Sequence, residues 1–296
     1  MDKNNLTVFC FHEVNDKPSQ FCKDFNLNVS PNLFVKQIKW IQEKYFIISP
    51  NDLINDNEIA ENSALITFDD AFYGAFENGI DFLVKNNIPS IMFVNMSHII
   101  NKTPLISSKA IFFEKYCKNK SRLITNQFHL KLNPLLLKKV EADLIINYDE
   151  EIKKYQGRIA DLYTLNKFSE NNLLFFGNHL FSHWNSKSLN SEEFKFNVNQ
   201  NTLEIEKFKN NINFFAFPNG QPGLCFSNEN INTLTKLGIS KAFSSSGNIN
   251  ISNDFLIDRI DLSSFEYNKI KFYLRLFICN FNNRYIRKIL GILRKI

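Results

Sequence analysis

The stretch "ALITFDDAFYG" (residues 64–74) ends an apolar run on two adjacent carboxylates, Asp69 and Asp70. Two like charges at one point are costly unless positive charge lies beside or between them, since each raises the pKa of the other. A divalent cation would supply that charge. A second chemically capable pair lies in "GNHLFSHWN", where His179 and His183 stand four apart. At that spacing one helical turn or a tight loop can aim both imidazoles at one point. Two histidines and a carboxylate, with positions left open for water, suit a hydrolytic site for zinc or a similar first-row ion. Taken singly these fragments are ordinary: an Asp pair caps helices, and paired or lone histidines such as His12 are usually surface or hydrogen-bonded core residues. Together, in a chain with 5 His, they point to one site. His98 and His129 lack such a context and are read as structural.

The elements that must position these groups are short apolar runs: "LTVFCF", "YFIIS", "ALITF", "SIMFV", "NLLFFGN", "NFFAF", "KAFSSS" and "FLIDRI". Segments with helical periodicity separate several of them, as at 31–44, 74–86 and 192–209. Alternating β and α units imply an α/β fold with a mainly parallel sheet, open or closed. The runs are nearly continuous in apolar residues, as for strands covered on both faces. His12, Asp69 and Asp70, His179, Pro218-Asn219-Gly220, and Arg259 with Asp261 all fall at the ends of runs. In parallel α/β folds the site gathers at the C-terminal ends of the strands. Residues 105–168 interrupt the rhythm as a charged helical insertion that is expected to shape the acceptor pocket.

At 296 residues and 44% hydrophobic content the chain can bury a substantial core. Its cysteines (Cys10, Cys22, Cys117, Cys225, Cys279) are odd in number, widely spaced and without a C-x-x-C pair, which fits reduced packing thiols rather than disulfides or a thiolate zinc site. "MDKNNLTVFCFHEV" lacks the pattern of a secretory signal, and no stretch reaches the length of a spanning helix, so a cytoplasmic or peripheral protein is expected. Eight basic residues and no acidic one lie from Lys269 onward; the remaining 27 basic residues face 30 acidic ones, so the body carries −3 and the tail +8. That asymmetry argues against nucleic acid as a partner of the whole protein.

"TFDDA" at 67–71 and "HLFSH" at 179–183 closely resemble the T-F-D-D-G and H-[ST]-x-x-H motifs of the polysaccharide deacetylase family of carbohydrate esterases. "VFCFHEVND" resembles the opening of its poly-N-acetylglucosamine deacetylase branch, and "FFAFPNG" that branch's F-A-Y-P-x-G segment. The similarity covers roughly residues 6–262, in the family's motif order. It implies a distorted (β/α) barrel of about seven parallel strands over 1–268, and one divalent ion, zinc, bound by Asp70, His179 and His183. It further implies Asp69 as general base and His12 as general acid. The substrate implied is an N-acylated amino sugar of an envelope glycan or its precursor. A lipid-linked saccharide that is deformylated or deacetylated is the neighbouring alternative, and a catalytically silent glycan-binding protein the alternative of another class. Ala71 stands where the family has Gly, Leu180 where it has Ser or Thr, and "FAFPNG" lacks an arginine that Arg259 is assigned to replace. The oxyanion would be held at Pro218-Asn219-Gly220, by the backbone N–H of Asn219.

In the tail, 269–296, Leu274, Phe277, Ile278, Phe281, Tyr285, Ile289, Ile292 and Ile296 recur at three- and four-residue steps among the basic residues. This predicts a basic amphipathic helix. It either packs on the barrel or meets an anionic membrane surface, on the inner face of the membrane if the protein is cytoplasmic.

Overall fold

The computed structural model describes residues 6–54, 59–250 and 254–280. Seven parallel strands carry the fold: β1 (Leu6–Phe11), β2 (Ser63–Asp69), β3 (Ser90–Val94), β4 (Leu174–Asn178), β5 (Asn211–Ala216), β6 (Lys241–Ser244) and β7 (Leu256–Asp261). Strand β1 pairs with β2 on one edge, Val8 opposite Leu65, and with β7 on the other, Val8 opposite Arg259, so the sheet closes into a barrel. The expected strand at "YFIIS" shrinks to Phe46–Ile47, paired only with the start of β2. Ser49 and Pro50 explain this, because they open a capped single-turn helix at Pro50–Leu53.

Strand alternation sorts the side chains into two layers. Val8, Leu65, Ile91, Phe93, Phe214, Phe243 and Ile257 pack together inside the barrel. Phe9, Phe11, Ile66, Phe68, Met92 and Phe176 face outward onto helices such as Pro31–Gln42. Gly177 makes room for the interior: a Cβ there would come within 2.6 Å of the Phe93 ring. Thr67, Asp69 and Arg259 share the inward alternation of Leu65 and Ile257, so the barrel holds charge at its C-terminal end.

Between β3 and β4 the chain builds helices at Ile106–Phe112, Pro134–Leu144, Asp149–Gln156 and Leu162–Phe168. Lys109 ties two of them together, 2.8 Å from both Glu141 and Asp149. Their apolar residues, including Phe128, Val140 and Ile152, join a second core with Trp184, Phe194 and Phe217. The tail is helical over Lys269–Asn280; Phe281, Tyr285, Ile289, Ile292 and Ile296 lie outside the described residues. Phe272 and Leu276 bury one face, with the Phe272 ring 5.7 Å from Trp40 and 6.1 Å from Phe9. All five cysteines are buried free thiols.

Candidate functional site

Strand β2 ends in a turn that separates its two carboxylates. Asp69 still follows the strand and points inward. Asp70 (φ 68°) and Ala71 (φ 54°) are both left-handed, which swings Asp70 away toward the histidine loop. Left-handed backbone is costly for a residue with a Cβ, so Ala71 occupies a conformation that glycine would adopt freely. The turn is pinned from outside: Ala160 N–H donates to the Ala71 carbonyl at 2.9 Å, and Tyr73 N–H to that of Arg158 at 3.0 Å.

Arg259 clamps Asp69 with a two-pronged bond, Nη1 to Oδ1 at 2.7 Å and Nη2 to Oδ2 at 2.8 Å. The guanidinium is fully buried, donates to the Ser244 carbonyl at 3.2 Å, and lies 5.4 Å from the Phe93 ring centroid. Burial raises the pKa of Asp69, but Arg259, and then His179, more than reverse it, and the carboxyl is held below its usual range. The mutual pairing raises Arg259 in turn, against its own burial. Asp70 shows the same contest: burial pushes it up, and His183 and His179 bring it well below the usual range.

His179 and His183 reach Asp70 from a tight loop, not from a helical turn. Leu180 (φ 66°) and His183 (φ 50°) are left-handed, and the two rings meet edge to face at 4.9 Å. Nε2 of His183 lies 2.9 Å and Nε2 of His179 3.5 Å from Asp70 Oδ1, with Asp69 Oδ2 3.7 Å from His179. His179 Nδ1 donates to the Ala216 carbonyl at 2.8 Å. That bond fixes one proton on Nδ1 and aims Nε2 at Asp70; Asp69 and Asp70 hold the His179 pKa above its ordinary value against burial, which favours a second proton on Nε2 that a bound cation would displace. Asp70 Oδ1, although buried, has no hydrogen-bond partner among the described residues. One ligand atom each from Asp70, His179 and His183 lies within 4.8 Å of the others. Two ring nitrogens converging on a buried carboxylate oxygen without a hydrogen-bond partner fit a divalent cation of the zinc type, with further positions open to the cavity.

A buried amide network holds the loop, and no motif announced it. Asn95 Nδ2 donates to the carbonyls of His179 and, at 2.8 Å, Leu180; Leu180 N–H donates to Asn178 Oδ1 at 2.8 Å. Asn201, on the helix Ser191–Ile205, donates to Asn178 Oδ1 and to the Val94 carbonyl, each at 2.8 Å. The one sequence signal is position: Asn95 and Asn178 each terminate or follow an apolar strand, where a polar residue has work to do. Leu180 is fully buried in the second core, which accounts for an apolar residue at that place.

His12, Asp69, Asp70, His179, His183, Asn219 and Asp261 line one cavity of about 590 Å³. A ring nitrogen of His12, Cys10 Sγ and an Asp69 oxygen lie within 4.8 Å of one another. Burial raises the Cys10 thiol well above its ordinary pKa, which keeps it protonated. Asp261 ends β7 exposed on the cavity wall, with His12 and Arg259 near enough to act on its charge. In the Pro218-Asn219-Gly220 turn, Pro218 is buried and Asn219 faces the cavity. Gly220 fixes the turn at φ 61°; a Cβ there would meet Ser245 N at 2.7 Å. The insertion contributes Ser107, Ile111, His129 and Leu130 to the wall, so His129 belongs to the cavity although nothing in its sequence neighbourhood marked it. Its ring pairs with Glu114 at 3.2 Å. His98 is buried outside this cavity, and burial lowers its pKa to about 4.

A polysaccharide deacetylase domain matches residues 56–242. The chain belongs to the polysaccharide deacetylase family. Solved structures similar to this deacetylase-family chain include the deacetylase PplD of Streptococcus pyogenes, at 13% identity and TM-score 0.63, covering 93% of this chain and 99% of that one. IcaB of Ammonifex degensii has 15% identity and TM-score 0.60, covering 92% and 97%. A de-N-acetylase of Aggregatibacter actinomycetemcomitans has 15% identity and TM-score 0.61, covering 92% and 100%. At such identities the likeness shows the fold alone. No curated protein sequence matches.

Proposed function

We propose that this chain is a hydrolase that removes an N-acyl group, acetyl foremost, from an amino sugar of an envelope glycan or its precursor. The observation that carries this reading is the convergence of Asp70, His179 and His183 beside a second carboxylate, Asp69, that Arg259 clamps separately. Each carboxylate thereby has its own task. Asp70 and the two imidazoles form the ligand set, with zinc the ion it suits. Asp69 stays ionised at neutral pH and accepts the proton of the attacking water. A bound divalent ion supplies what so weak a base lacks, an acidified water and a polarised acyl oxygen. His12, across the cavity beside Asp69, protonates the departing amine, a contribution typically worth about 10²- to 10⁴-fold. The Asn219 backbone N–H is assigned to the developing oxyanion. A silent glycan-binding protein would have no need of a complete ligand set beside a clamped base and an acid.

The purified protein, given N-acetylated amino-sugar oligosaccharides, is expected to release acetate and expose free amine. The rate should fall on chelation and return with zinc. A protein that binds zinc at Asp70, His179 and His183 yet releases no acyl group from any amino sugar would contradict the reading.

A lipid-linked saccharide as substrate is favoured by the outer face of the helix Lys269–Asn280. Ile270 is 80%, Leu274 54% and Phe277 60% exposed, one stripe opposite the buried Phe272 and Leu276. With the basic tail, that stripe suits an anionic membrane surface. No described helix is long and apolar enough to cross a membrane. Removing the helix would strip buried residues from the core, so the test is Ile270→Ser, Leu274→Ser and Phe277→Ser together in the full chain. Sedimentation with anionic liposomes should drop in this variant and in high salt. Unchanged sedimentation would remove the membrane from the reading.

A further inference from the structure

The same helix has a third side. Arg275 leaves it toward the active-site cavity, whose wall it shares with Ser245, Asp261, Leu262, Ser263 and Phe265. Its guanidinium packs 3.6 Å from where a Cβ on Gly247 would stand. Arg275 Nε is buried and has no hydrogen-bond partner, and Arg275 makes no ion pair among the described residues. Asp261 feels its charge without pairing with it. The contrast with the other arginine of the site is plain: both prongs of Arg259 are occupied by Asp69, while among the described residues no hydrogen bond or ion pair engages the Arg275 fork.

A buried donor without an acceptor has lost its hydration and gained nothing in return, so a ligand that supplies the acceptor is favoured. A planar fork with open donors is matched best by the paired oxygens of a phosphoryl or carboxylate group. The ligand atoms come from Asp70, His179 and His183, so Arg275 adds nothing to the ligand set. It lies on a helix outside the matched domain region 56–242, a place where a specificity of this chain can be built without touching the shared chemistry.

We infer that Arg275 is an anion-recognising subsite, and that the acylamino sugar this cavity takes carries a phosphoryl or carboxylate group beside the ring. The inference rests on the deacylase reading of the cavity. Arg275 is a positioning residue, since it holds the substrate's anionic end and does not meet the reacting acyl group.

The test compares a neutral methyl glycoside of an N-acetylhexosamine, the N-acetylhexosamine 1-phosphate and an N-acetylhexosamine–uronate disaccharide. Wild-type protein is expected to show KM about tenfold or more lower for one of the two anionic substrates, and the arm that responds tells phosphoryl from carboxylate. Arg275→Gln should abolish that preference with kcat unchanged and the neutral substrate unaffected, and Arg275→Lys should restore part of it. Calorimetric binding of the same three compounds reads the preference independently of turnover. Binding that depends on Arg275 in a protein that releases no acetate would uphold the subsite and sink the deacylase reading. An equal preference in wild type, Gln and Lys variants, or none in wild type, overturns the subsite. If Arg275→Gln does not fold, Arg275→Lys, which keeps the charge but not the fork, must still weaken the anionic arm alone.

Discussion

Glu13 and the Asp69–Asp70 pair are buried alike, at 4%, 3% and 4% exposure, and they respond in opposite ways. Both aspartates are held below the ordinary carboxylate range, whereas burial pushes Glu13 up to about 7. Glu13 is not short of hydrogen bonds, since Val14 N–H donates to it at 3.1 Å and the backbone of Gly74 contributes another. What it lacks is a cation. Asp69 has Arg259, Asp70 has two imidazoles, and the charge that acts on Glu13 among the described residues is Glu77, which raises it further. Neutral donors therefore do not offset burial of a carboxylate here, and a positive group does. The site keeps two ionised acids inside a barrel because it supplies two separate sources of positive charge.

The strongest way to break this comparison is to make Asp69 resemble Glu13. Arg259→Leu should destabilise the fold by about 3–5 kcal/mol, because it leaves a buried charge unpaired. Adding Asp69→Asn should recover much of the loss in chemical denaturation. A double variant as unstable as the single one would mean that Arg259 acts through packing. The reverse experiment relieves Glu13. Its folded pKa lies above its unfolded value of 4.5, so stability is full below that value, falls as pH rises toward 7, and stays reduced above. Glu13→Gln should thus gain about 3 kcal/mol on wild type between pH 4 and pH 8, an upper figure from 1.36 kcal/mol per pKa unit. A constant difference across that range would mean Glu13 is not buried as a charge.

Much of this was legible in the sequence because it is written locally. Apolar runs marked the seven barrel strands, and the polar residues just beyond them marked one end. Closure of the sheet was not local: it depends on Val8 meeting both Leu65 and Arg259, a pairing that periodicity does not encode. The histidine spacing allowed a turn or a loop, and only the left-handed Leu180 and His183 choose the loop. Arg259 stood at the end of a run, but its fork on Asp69 joins residues 190 apart in sequence. Asn95, Asn178 and Asn201 escaped notice because asparagine is common in this chain and their partners are backbone groups and one another. The tail's apolar residues were visible, yet Leu274 and Phe277 turned out to face solvent while Phe272 and Leu276 face the core.

Smaller perturbations sharpen the comparison without abolishing the site. Asn201→Ala removes bonds to Asn178 and Val94 and should cost about 1–3 kcal/mol. By loosening the histidine loop it should also weaken metal affinity about 10- to 100-fold, as loss of a group that orients metal ligands does, read by competition with a chelator. Intact affinity would show that the loop holds itself. Smallest of all, Ala71→Gly exchanges relief at φ 54° for a more flexible unfolded chain, and should move stability by less than about 1 kcal/mol. A large loss would mean the Ala71 methyl is itself a packing contact.

The division of labour between the two aspartates is the centre of this account, and one pair of variants reads it directly. Metal content per chain and acetate release are measured together on Asp69→Asn and Asp70→Asn. Asp69→Asn is expected to keep its zinc and lose turnover by at least about 10²-fold; Asp70→Asn should lose both. Equal loss of metal in the two variants, or full turnover in Asp69→Asn, would contradict it.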